Sequence, residues 1–249
     1  MKAGLNISDD LDDAIASLNR LGSSAGKAQA QAVNEVVKQA ELQLRTEVGS
    51  VFDRPTPFTL NAFRIQYAKP SQPEAAVWVK DEKSGASKGF APEDWFKPQV
   101  YGGERALKAS ERMLRSMGIL PAGMYAVPGK GARLDAYGNM SRGHIVQLLS
   151  GLKAFNRAGS DHNATDSKRS TRKGHAAAFF VLRRGAKPLG IAERRGKTVQ
   201  VVLVFTREPN YAPRFDFHGV VRKVAENDAL IEAAVDKAVA QALAGGRGW

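Results

Sequence analysis

The chain has 249 residues, 43% hydrophobic and 25% charged, enough for one large domain or two small ones around a real core. Its 37 Lys and Arg against 25 Asp and Glu give a formal charge of +12, which favours an anionic partner, either nucleic acid or an acidic protein surface. Zero cysteines exclude disulfides, thiolate zinc sites and cysteine nucleophiles, and no run of about eighteen apolar residues is present to span a membrane.

The start, MKAGLNISDDLDDAIASL, places four Asp where a secretion signal needs its apolar run. Residues 8–48 then read as helical. Ser8 is a suitable N-cap, and Asp9, Asp10, Asp12 and Asp13 load the positive end of the helix dipole. GSSAG (22–26) bends or breaks the run, which resumes with Val33, Val36, Val37, Ala40, Leu44 and Val48 at helical spacing. Gly49 sits where a C-terminal stop belongs.

In VFDRPTPFTLNAF, Pro55 and Pro57 argue against helix, and each pushes its preceding residue, Arg54 or Thr56, toward extended backbone. Phe63, Ile65 and Tyr67 alternate with polar residues and predict a strand; Val77–Val79 predicts a second, joined to the first as a hairpin. Glu93–Asp94 and Asp81–Glu82 read as solvated charge beside turns. A helix is expected from Gly103 to Met117, ended by Pro121, and a shorter one over Gly143–Phe155.

Residues 156–176 have no apolar periodicity and hold five basic residues and two acids, the pattern of a flexible surface arm. Three strands are expected at Ala177–Leu182, Gly190–Arg194 and Val199–Thr206, the last apolar enough to lie buried on both faces. REPNYAPRFDF reads as a proline-punctuated connection. Asn227 or Asp228 caps a final helix carrying Ile231, Ala234, Val235 and Ala238, and GGRGW is a frayed tail. The expected architecture is one α+β domain over 1–249. In it a mostly antiparallel sheet packs with a long N-terminal helix, central helices and a C-terminal helix, and the arm is inserted at about 156–176.

Catalytic constellations are weak. The stretch VPGKGARLDAYGNMSRG (127–143) is rich in glycine and bases but fails as a phosphate loop. Five residues separate Gly123 from Gly129–Lys130 where four are needed, Gly131 replaces the hydroxyl, and Pro121 and Pro128 interrupt the strand that should lead in. The four histidines, His144, His162, His175 and His218, are scattered rather than paired on one helical face. Ser141 reads as the N-cap of the helix that bears His144, not as a nucleophile. No catalytic, cofactor-binding or metal-binding residue is assigned, and no cofactor is expected. Lys168, Arg169, Arg172 and Lys173, followed by Arg183 and Arg184, form a basic cluster suited to phosphates or an acidic partner. It lacks interleaved aromatic residues for base stacking.

Several phrases in chain order resemble the neck and tail-completion proteins of tailed bacteriophages, in the broad family of phage minor tail protein Z. They are the N-terminal amphipathic helix ending in VFDRPTPFTLNAF, the strand AAVWVKD, and YGGERALKASERML leading to LPAGMYAVPGKGARLDAYGNMSRGHIVQLLS. The last is GIAERRGKTVQVVLVFTREPNYAPRFDF before a closing helix. The resemblance covers most of the chain outside the arm and implies a non-enzymatic virion protein. Such a protein is made in the host cytoplasm and joins head to tail as a homo-oligomeric ring around the DNA channel. Its implied partners are portal, adaptor or tail proteins, with nonspecific contact to channel DNA and no membrane. Glycine- and proline-rich segments would let neighbouring subunits approach closely, which marks Pro55, Pro57, Pro128, Gly129, Gly131, Tyr137, Gly138 and Asn139 as inter-subunit contacts. Lys168, Arg169, Arg172 and Lys173 would meet DNA or an acidic partner. The alternative is a nonspecific DNA-binding protein, or a metal-dependent DNA-processing one with its chemistry at Asp161, His162 and His175.

Overall fold

A computed structural model describes residues 1–5, 25–82, 90–154, 168–169, 178–207 and 210–245. The fold is α+β, and among the described residues three sheets form, each antiparallel. The chain divides into two compact units. One comprises residues 1–102 with 212–249, the other residues 103–211, and each has its own apolar core.

The first unit is organised on helix α1 (Ala25–Val51). Its buried stripe of Val33, Val36, Val37, Ala40, Leu44 and Val48 follows the predicted period. The helix runs through Gly49, which faces open space, and ends at Val51, three residues later than expected, because packing outweighs glycine's weak helix propensity. The expected helical residues 8–24 lie outside the described residues. Beside α1 lies the hairpin of β2 (Phe63–Gln66) and β3 (Ala75–Val79), in the register Phe63↔Val79 and Ile65↔Val77. A strand that the sequence did not signal, β1 (Lys2–Leu5), pairs with the other edge of β3. Asn34 of α1 fixes the proline-rich hairpin connection: its Nδ2 donates to the Ala68 carbonyl at 3.1 Å and its Oδ1 accepts the Ala68 N–H at 2.7 Å.

Pro57 opens a short helix, α2 (Pro57–Leu60), as its first residue, where a missing N–H costs nothing. Thr56 is extended as expected and caps that helix, accepting the Thr59 N–H at 3.1 Å. Arg54 instead takes a left-handed φ of 46°. Glu93 and Asp94 are not turn residues but the first-turn acids of α3 (Pro92–Tyr101), a helix hidden by Pro92 and Pro98. A further unread helix, α6 (Phe217–Ala225), is capped by Asp216, whose carboxylate accepts the Gly219 N–H at 2.8 Å. Asn227 caps the final helix, α7 (Asp228–Gly245), as predicted, its side chain accepting the Leu230 N–H at 3.1 Å. Phe52, Phe63, Phe96, Phe215 and Phe217 cluster in this unit, in stacked, tilted and edge-on pairs with ring centroids 5.2–6.4 Å apart.

The second unit opens and closes with a short ribbon, β4 (Gly103–Glu104) against β9 (Asn210–Tyr211). Helix α4 covers only Ala109–Ser116 rather than the whole of 103–117. A strand stands where Pro121 and Pro128 argued against one: β5 (Met124–Pro128) accommodates Pro128 as its last residue, at the sheet edge. After α5 (Arg142–Gly151) come β6 (Phe179–Arg184), β7 (Lys187–Arg195) and β8 (Thr198–Arg207), close to the three predicted strands. Together they build a four-stranded sheet in the order β5-β8-β7-β6. Leu114 of α4 and Leu148 and Leu149 of α5 share a core with Ala126, Phe179, Ile191, Leu203 and Phe205 on one sheet face. A register shift at Ile191/Ala192 turns both Val202 and Leu203 inward. The strand β8 is interior to the sheet but not buried on both faces: Val199 and Val204 are 49% and 40% exposed on the side away from that core.

Candidate functional site

The second unit carries the glycine-rich stretch 127–143, and backbone bonds account for its shape. Beyond β5, the Gly129 N–H donates to the Val202 carbonyl and the Gly131 N–H to the Val201 carbonyl, each at 2.8 Å. A Cβ on Gly129 would lie 2.4 Å from the Val201 oxygen, and one on Gly131 would lie 2.7 Å from the Gln200 Cβ. These two glycines therefore serve a close backbone approach, as their composition suggested, but the approach is to the chain's own β8.

The tip is closed by Asp135. Its Oδ1 accepts the N–H groups of Tyr137 and Asn139 at 2.9 Å each, and its own N–H donates to the Asn139 carbonyl at 2.8 Å. Gly138 turns the chain at φ 79° and donates to the Asp135 carbonyl, while Leu134 bridges Met140. The result is a braced projection with Leu134 51% and Tyr137 40% exposed, and with Pro128 and Asn139 also at the surface.

The base of the projection is anchored by a buried polar pair. Ser141 caps α5 as predicted, accepting the His144 N–H at 3.4 Å. The His144 ring accepts the Arg133 backbone N–H at Nδ1, 3.0 Å away, so its proton sits on Nε2, which faces Glu193 Oε2 at 3.3 Å. Both side chains are buried. Burial and the nearby Arg133 charge lower the His144 pKa more than Glu193 raises it, so the imidazole is neutral. Burial opposes ionisation of Glu193, but the Arg195 hydrogen bond at 2.6 Å, the His144 contact and Arg133 at 3.5 Å hold its pKa below the usual carboxylate value. Loop, helix and sheet are thus tied through one carboxylate.

A second carboxylate organises the neighbouring region. Glu111 is buried and accepts both arms of the Arg105 guanidinium, at 2.6 and 2.7 Å, with the N–H groups of Lys108 and Ala126 at 2.7 and 2.9 Å. Burial disfavours its charge, and these donors outweigh that cost, so its pKa is lowered. All of its oxygens are committed to structure. Beside it, Leu114, Ala126, Met140, Leu148 and Leu203 line a cavity of about 290 Å³ with Lys108 at its edge.

The remaining predicted positions are scattered. Pro55 and Pro57 flank the start of α2 in the first unit, half-buried and exposed respectively. Lys168 and Arg169 are exposed, as are Arg183 and Arg184 at the end of β6. Arg172 and Lys173 lie outside the described residues, as do Asp161, His162 and His175. Among the described residues, no group of three or more His, Asp or Glu is placed to hold a metal ion, and no helix is long and apolar enough to cross a membrane. The Glu193 and Glu111 hubs were not foreseen. A lone buried acid has no local signature, although Lys108 followed three residues later by Glu111 has the spacing of a capping box.

Comparison with protein-family models, with curated proteins and with solved structures gave no match.

Proposed function

We propose that the chain is a structural virion protein of a tailed phage, a neck or tail-completion subunit that acts in a closed ring between head and tail. The sequence phrases that resemble the minor tail protein Z family motivate the reading. The observation that carries it is the projection at 128–140: braced from within by Asp135 and His144, it holds large apolar side chains, Leu134 and Tyr137, out in solvent. Presenting an apolar group on a stiff support limits the ordering cost of binding, which is what an assembly contact requires. Pro128, Tyr137 and Asn139 are its contact residues, while Gly129, Gly131 and Gly138 shape it. In the first unit, Pro55 and Pro57 are rigid elements of a second contact. Both polar hubs serve as fasteners of the fold, in keeping with a mechanical rather than a catalytic role.

The test is complementation of a phage lacking the chain with L134S/Y137S. Both side chains are solvent-exposed, so the variant should melt like wild type yet yield few joined particles. Full complementation by a variant confirmed to carry both changes would remove the projection from the proposal.

A further inference from the structure

Charge is divided unevenly between the two units. Residues 103–211 hold 20 of the 37 Lys and Arg and 7 of the 25 Asp and Glu, a net of +13; the other unit holds the remaining 17 and 18, a net of −1. The whole excess of the chain is therefore carried by the unit that bears the projection.

Within it, the topology gathers cations at one end of the four-stranded sheet. The β7–β8 turn brings Arg195 and Lys197 together, with the register Arg195↔Thr198, while Arg194 and its partner Val199 point to the opposite sheet face. At the same end β5 leaves the sheet, bringing in Lys130 beside Gly131, whose Cα lies over Gln200, and Arg133, which shares Glu193 with Arg195. All four side chains, Lys130, Arg133, Arg195 and Lys197, are exposed. The acid at their centre is Glu193, only 3% exposed, which orients the Arg133 and Arg195 guanidiniums while leaving each of those side chains 46% accessible. Arg194 stands apart on the other face, with its guanidinium 5.6 Å from the centre of the Phe180 ring.

We infer that this sheet end, Lys130, Arg133, Arg195 and Lys197, is a contact surface for the phosphate backbone of duplex DNA, without base readout. Two features favour DNA over an acidic protein. The residues set among the cations are Gly196, Thr198 and Gln200, small or polar, whereas a protein interface centres on large apolar anchors. The guanidiniums of Arg133 and Arg195 are held in place in advance, which suits forked bonding to phosphate oxygens. The cations come from a loop, a strand end and a turn rather than from one helix or strand, so they suit backbone phosphates rather than base edges. The inference deepens the virion reading by naming the surface turned to the DNA, but the two can fail separately. A chain absent from particles could still bind duplex, and a particle component could fail to.

The test uses the full chain and a mixed-sequence duplex of about 30 base pairs, with affinity measured against salt concentration. Removing two phosphate contacts in K130A/K197A should lower the slope of log K against log salt by about 1.8 and weaken binding about 60-fold at about 0.1 M salt. The charge-matched R222A/K223A, on an exposed part of α6 in the other unit, should bind like wild type. No duplex binding by the wild-type chain, or equal losses in the two variants, would overturn the assignment. Poly-glutamate that displaces the chain as effectively as unlabelled duplex would also overturn it, in favour of an acidic protein partner.

Discussion

Nε2 of His144 lies 3.3 Å from Oε2 of Glu193, with both side chains buried in the core beneath the projection. The Arg133 N–H occupies the other ring nitrogen, so protonating His144 would require breaking the bond that ties the projection to α5. The pair therefore makes the stability of this unit pH-dependent.

For His144 the folded pKa lies below the ordinary value of 6.5, so below that pH the unfolded chain binds more protons and stability falls. Glu193 acts in the same direction. Its folded pKa lies below 4.5, so its stabilisation is present above 4.5 and is lost as pH drops further through the folded value. Thermal unfolding should thus be constant near neutrality and fall as pH drops below about 6.5, with a steeper fall below about 4.5. H144Q should flatten the first part of that profile. A melting temperature that rose on acidification from pH 7 to 5 would contradict the neutral assignment.

Replacing Glu111 with Ala strands the Arg105 guanidinium and the Lys108 and Ala126 N–H groups around a buried gap. Loss of one partner from such a buried pair costs about 3–5 kcal/mol. E111A should lower the denaturant midpoint sharply, whereas R142A, at an exposed position of α5 in the same unit, should change it little. Equal effects from the two would deny Glu111 its place as a hub.

Glycine positions in the stretch 127–143 should behave in opposite ways. G129A drives a methyl into the Val201 carbonyl and should destabilise by about 1–3 kcal/mol, read by urea unfolding. G143A meets open space inside α5 and should be neutral or stabilising by up to about 1 kcal/mol.

Asn34 substitutes for a missing strand partner at the hairpin connection, bonding both backbone groups of Ala68. N34A leaves that partly buried amide and carbonyl unmatched, at a cost of about 1–3 kcal/mol. Faster hydrogen exchange at the Ala68 amide would report the change directly.

What could be read from the chain beforehand was whatever rests on short-range pattern. The alternation of Phe63 and Ile65, the apolar runs from Phe179 to Arg207, the stripe on α1 and the Asn227 cap are each set by residues a few positions apart. Pro92 and Pro98 hid α3 because proline is tolerated at a helix start and, with tertiary support, inside one. The strand β1 has only four residues, too few to display a period, and it exists through its pairing with β3. In the stretch 127–143, glycine signalled close approach, but which backbone it approaches depends on the β5–β8 register. The His144–Glu193 pair is likewise a product of tertiary pairing, since α5 and β7 meet only once the sheet is built. The division into two units was concealed because the first unit is discontinuous, closing on itself after residue 211.

The central claim is that this chain is a virion component present as a ring, and mass spectrometry of purified, DNA-filled particles counts it directly. The account predicts a fixed stoichiometry on the order of six to twelve copies per particle, the size of one closed ring. Particles that are complete and infectious yet contain none of the chain would contradict it.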